Sequence, residues 1–98
     1  MSTITIPSHL EPTLKLIQRA FSYGIDNDAY LPLLTLLEPE LSDRNLAIVV
    51  ASLTNKEYTQ VLNDIYYVKS HPPNNPEQIE AVRSRLNENG FHNWLEQG

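Results

Sequence analysis

Tyr30-Leu31-Pro32-Leu33-Leu34-Thr35-Leu36-Leu37-Glu38-Pro39 is the stretch whose reading decides the fold. It is rich in leucine and poor in β-branched residues, a composition that favours helix over strand. At helical spacing Tyr30, Leu33, Leu34, Leu37 and Leu41 form one apolar stripe, with Leu31 and Leu36 flanking it on either side. Pro32 fits best in the first turn of this helix, entered from the linker Ile25-Asp26-Asn27-Asp28. Pro39 is expected to push Glu38 out of helical geometry and end the segment.

Outward from this centre the chain punctuates itself into four more helical segments. Upstream, a helix is expected from about Pro12 to Tyr23, with Leu10, Leu14, Ile17 and Phe21 on one face and Lys15 and Arg19 opposite. Pro12 is read as its first helical residue and Gly24 as its left-handed stop. Downstream, Ser42 caps a third segment with Asp43 in its first turn. Leu46, Val49, Val50 and Leu53 face one way there, while Ala47, Ile48 and Ala51 leave little polar surface, which places this helix in the middle. Thr54 with Glu57 reads as a capping box opening a fourth helix, on which Tyr58, Val61, Leu62, Ile65 and Lys69 align. Tyr66 and Val68 flank that row and Tyr67 lies on the far side. After the stiff linker Ser70-His71-Pro72-Pro73-Asn74, a fifth helix starts with Asn75 as cap, Pro76 at the first position and Gln78 closing the box. Ile79, Val82 and Leu86 face inward, Gly90 ends the helix, and Phe91 is placed to pack back on Leu86 in a Schellman turn.

The expected architecture is therefore all-α, a single compact bundle of about five short helices over residues 1–98. Residues 1–9 are read as an N-terminal arm left without fixed structure, and residues 91–98 as an aromatic docking tail. The core is expected to centre on Leu33, Leu34, Leu37, Val49, Val50, Leu53, Leu62, Ile65, Val82 and Leu86.

Composition narrows function. The 98 residues hold no cysteine, which excludes disulfide scaffolds, cysteine zinc sites and thiol catalysis. The net charge of −5 weighs against a protein that grips phosphates through Lys and Arg. No apolar run approaches the roughly 20 residues of a membrane span, and Met1–Pro7 lacks the features of a secretory signal. A cytoplasmic location without membrane association is expected.

Phe21, Gly24-Ile25, Tyr30, Pro32-Leu33-Leu34, Leu36-Leu37 and Leu41-Ser42-Asp43 form a recognisable series with Pro73, Asn75-Pro76-Glu77, Val82, Arg85-Leu86 and Gly90-Phe91. Over roughly residues 14 to 91 this series resembles the domain-of-unknown-function family numbered 3349, small all-helical bacterial proteins. Departures are the Asp26-Asn27-Asp28 turn where that family has a proline-rich one, Ala29 in place of an acidic cap, and Phe91 in place of Trp. The resemblance implies an all-helical single domain and, because the family has no established activity, carries no catalytic residues.

Read for chemistry, the chain offers little convergence. Asp26, Asp28 and Tyr30 alternate as in a calcium loop, but Leu31 and Leu37 stand where glycine and glutamate are needed. His9, His71 and His92 occupy three different connecting or terminal segments without a ligand partner at helical spacing. Glycine-rich phosphate loops and nucleophile elbows are absent from the sequence. No catalytic, cofactor or metal residue is assigned, and an enzyme is not expected. The third and fourth segments outline a helix-turn-helix whose second helix would present Asn55 and Gln60 to bases and Lys56 to phosphate. Glu57, Asp64 and the dispersal of the seven basic residues argue against it. Leu31, Leu36, Tyr67 and Trp94 lie off the inward stripes of their segments, and for Leu31 and Leu36 contact with two neighbours at once also explains this. They are the candidate surface for an unknown protein partner, on a monomer or weak homodimer.

Overall fold

A computed structural model describes residues 6–97. Six α-helices follow in order: α1 Glu11–Ala20, α2 Asn27–Leu37, α3 Asp43–Ser52, α4 Tyr58–Ser70, α5 Pro76–Glu88 and α6 Phe91–Gln97. Short 3-10 turns, Ser8–Leu10 and Glu38–Glu40, precede α1 and follow α2. No strand occurs among the described residues. The fold is an all-α bundle, with a sixth helix added to the expected five where the C-terminal segment coils. Of the expected arm, residues 1–5 lie outside the described residues, while Ser8 to Leu10 form the first 3-10 turn with Leu10 buried.

The leucine-rich helix is the hub. α2 packs on both α4 and α5, α3 pairs with α4, and α1 lies against α5 and α6. The helices thus follow one another in space as α3, α4, α2, α5, α1 and α6. The central place falls to α2 rather than to α3, because α2 contacts two helices, α4 and α5, whereas α3 pairs chiefly with α4. Leu33, Leu34 and Leu37 are wholly buried, joined by Leu46, Val49, Val50, Ile65 and Leu86. Leu53 and Leu62, expected inside, sit half-buried at the margin of the same core. A radius of gyration of 12.5 Å matches the roughly 12.6 Å that chain length dictates for one domain.

Several local readings shift. α2 begins at Asn27, within the expected linker, so Pro32 stands inside the helix rather than in its first turn and deprives the Asp28 carbonyl of its partner. Asp28 is exposed, so water can replace that bond. Asp26 precedes the helix in extended conformation but its side chain accepts no capping bond; its carboxylate faces Arg85 at 3.7 Å instead. Pro39 ends α2 without pushing Glu38 out: Glu38 keeps helical angles and the chain departs at Leu41. Pro12 is the second, not the first, residue of α1. That helix ends at Ala20, four residues before Gly24, whose φ of +98° turns the chain afterwards. α1 is gripped by α5 and by α6, so its buried face widens to Thr13, Leu16, Ile17 and Ala20 while Leu14 stays at the margin.

Caps divide in the same way. The Ser42 hydroxyl accepts the Asn45 amide at 3.1 Å, and Asn75 accepts the Gln78 amide at 3.1 Å. The Thr54 box does not form. The Thr54 hydroxyl donates to the Val50 carbonyl at 2.9 Å and accepts the Lys56 amide at 3.3 Å, so it closes α3, and α4 starts only at Tyr58. Gly90, at φ +99°, makes the inner bond of a Schellman turn, its amide 3.5 Å from the Asn87 carbonyl, after which Phe91 opens α6.

Candidate functional site

α6 holds the chemistry of the candidate site. Its Trp94 indole Nε1–H donates to the Thr13 hydroxyl at 2.9 Å, and its ring stacks on Phe91 at 5.7 Å between centroids. Thr13 is 3% exposed, so its hydroxyl has few alternatives to this partner. Fixed by this bond at one edge and by the stack on one face, Trp94 walls an open groove of about 320 Å³. Pro12 and Leu10 line it from the N-terminal side, Leu41 from the turn before α3, and Leu95 from α6. His9, Glu40, Asn45 and Gln97 supply polar edges. Leu95 is 38% exposed, large for a leucine beside an apolar groove.

The four residues singled out in the sequence fall in different places. Trp94 lines this groove. Tyr67 is 54% exposed on α4, beside the equally open Tyr66, and stacks on His71 at 4.9 Å. Leu31 and Leu36 are half-buried and pack against the core. Nothing in the sequence links Leu95, Leu41 and Pro12 to one another, since the groove joins segments 29 to 83 residues apart.

Electrostatics elsewhere are largely internal. Arg19 on α1 donates to the Asn89 carbonyl at 3.0 Å, and Arg85 on α5 donates to the Ala20 carbonyl at 3.1 Å. Each arginine thus caps the other helix's C-terminal end, where carbonyls lack partners and the dipole favours a cation. Arg85 also lies over the Phe21 ring at 4.2 Å. Lys69 bridges Asp43 at 2.8 Å and Glu38 at 3.7 Å, and these contacts, led by the Asp43 hydrogen bond, raise its pKa. Arg83 pairs with Glu80 at 3.0 Å. Tyr30 donates its phenol proton to Asp64 at 2.6 Å, and burial, followed by that bond and the Asp64 charge, pushes the phenol well above its ordinary pKa.

His9 stands at the groove edge, His71 against Tyr67, and His92 3.2 Å from Glu96. Among the described residues no group of three or more His, Asp or Glu is placed to hold a metal ion. No helix among them is long and apolar enough to cross a membrane. No protein-family model, curated protein or solved structure matches the chain.

Proposed function

We propose that the protein is a non-enzymatic, cytoplasmic interaction module that receives an apolar anchor of a protein partner in the Trp94–Leu95 groove. One observation carries this reading: Trp94 is held from two sides yet still faces an apolar groove whose neighbour Leu95 is exposed. A rigid aromatic wall loses little entropy when a partner binds, and a polar edge around an apolar centre is the anatomy of interfaces. Tyr67 and Tyr66 on α4 offer a second, flatter aromatic surface, which we assign a lesser role because they line no comparable hollow. The resemblance to the family numbered 3349 agrees with a small helical domain and adds no activity.

Nucleic-acid binding has weaker support. Four of the seven basic side chains, Arg19, Lys69, Arg83 and Arg85, are engaged by carbonyls or carboxylates of the same chain. A photo-crosslinking side chain at position 95, with position 67 as comparison, tests the proposal in cells. A discrete crosslinked protein species is expected from position 95; its absence there, with one from position 67, would move the interface to α4.

A further inference from the structure

The largest hollow described on the molecule, about 620 Å³, opens where the Gly24–Ile25 turn, the start of α2 and the α3–α4 turn meet. It shares no lining residue with the Trp94 groove. Lys56, half-buried, reaches over the Tyr30 ring with its ammonium 4.7 Å from the centroid, and among the described residues no carboxylate lies within ion-pair distance of it. Asn27, Asn55 and Gln60 bring three side-chain amides to the same lining, none of them hydrogen-bonded through its side chain within the described residues. Ile25 and Leu53 add apolar surface.

Charge is sorted around this hollow. In a chain of net charge −5, its lining contains a lysine and no acid. The nearby acids are engaged elsewhere: Asp26 and Asp28 line a separate small hollow with Arg85, and Asp64 accepts the Tyr30 phenol. Glu57, next to Lys56, is exposed and outside the lining. A half-buried ammonium facing a concave, acid-free surface suits a ligand anion. Planar amides, each presenting a donor beside an acceptor, match the edge of a purine, as Asn and Gln do with adenine. The volume falls in the range of small-molecule sites, roughly 300–1,000 Å³.

We propose that this hollow binds a purine mononucleotide, with Lys56 on the phosphate, Asn55 and Gln60 on the base edge, and Leu53 and Ile25 against the base face. Asn55, Lys56 and Gln60 are the residues a helix-turn-helix would spread along a recognition helix. Here Asn55 and Lys56 sit in the turn before α4 and converge with Asn27 from α2.

Titration of the labelled protein with AMP, read by amide chemical shifts, tests the assignment. AMP is expected to shift residues 24–30 and 52–60 and to bind at least tenfold more tightly than inorganic phosphate or adenosine. Lys56→Gln is expected to weaken AMP binding at least tenfold and Lys56→Arg to restore most of it, while Leu95→Glu leaves it unchanged. Far-UV circular dichroism of each variant confirms its fold, and the exposed Asn55→Ala supplies a second variant, with a several-fold loss expected. The proposal is overturned if millimolar AMP causes no shifts there, if Lys56→Gln binds as well as wild type, or if single-stranded oligoadenylate binds this surface while AMP does not.

Discussion

Tyr30 and Asp64 join α2 to α4 through one short, charge-assisted hydrogen bond, 34 residues apart in sequence. Tyr30→Phe removes the donor and leaves the carboxylate without its partner, so a loss of about 2 kcal/mol is expected at neutral pH. The phenol's pKa is raised on folding, so the unfolded chain releases its proton first as pH climbs past about 10. Stability therefore falls with rising pH in that range, and urea titrations at neutral and strongly alkaline pH should show a smaller fall for Tyr30→Phe. Lys69 behaves with the same sign for a different reason: its raised pKa contributes below the ordinary lysine range and is lost as pH rises through it. Lys69→Gln should differ from wild type by a constant amount between about pH 6 and about pH 9 and by less above about pH 11. Sequence periodicity placed Tyr30 on the inward stripe correctly, but the phenol's partner depends on how α4 docks, which no local pattern records.

Helix boundaries were legible where the capping group had a single choice. Ser42 and Asn75 each stand just before a helix start, make no other side-chain hydrogen bond among the described residues, and cap as their sequence context dictates. Thr54 had a competitor, the Val50 carbonyl one turn back, and the α3–α4 connection lengthened accordingly. Asn75→Ala should cost about 1 kcal/mol, measurable as a lower unfolding midpoint. The reciprocal arginines were not legible, because their acceptors are carbonyl groups and every residue has one. Gly90→Ala forces a side chain onto a backbone at φ +99°, a strain that does not depend on crowding because its Cβ would meet the Arg19 guanidinium in ordinary contact, and should cost about 1–2 kcal/mol. α6 itself hinges at this glycine, so the same change should weaken the Trp94–Thr13 bond and alter the indole fluorescence.

At the scale of the whole molecule, one helix organises the rest. Eight of the ten core residues expected from the stripes are buried and two, Leu53 and Leu62, rest at the margin; intersegment geometry decides between those places. Leu34→Ala, in the hub, should cost about 3 kcal/mol and Leu53→Ala distinctly less, compared by thermal unfolding. The candidate surface was half legible for the same reason. Trp94 stood out as an aromatic off the inward stripes, whereas its groove exists only because α6 folds across α1 and faces the turn before α3. In the proposed role, that groove is where the partner docks. Affinity capture from the native organism with wild type, Leu95→Glu and Tyr67→Ala, each verified to unfold at the wild-type temperature, tests it most directly. A partner held by wild type and Tyr67→Ala and lost by Leu95→Glu is the predicted result; a partner held equally by all three proteins would contradict it.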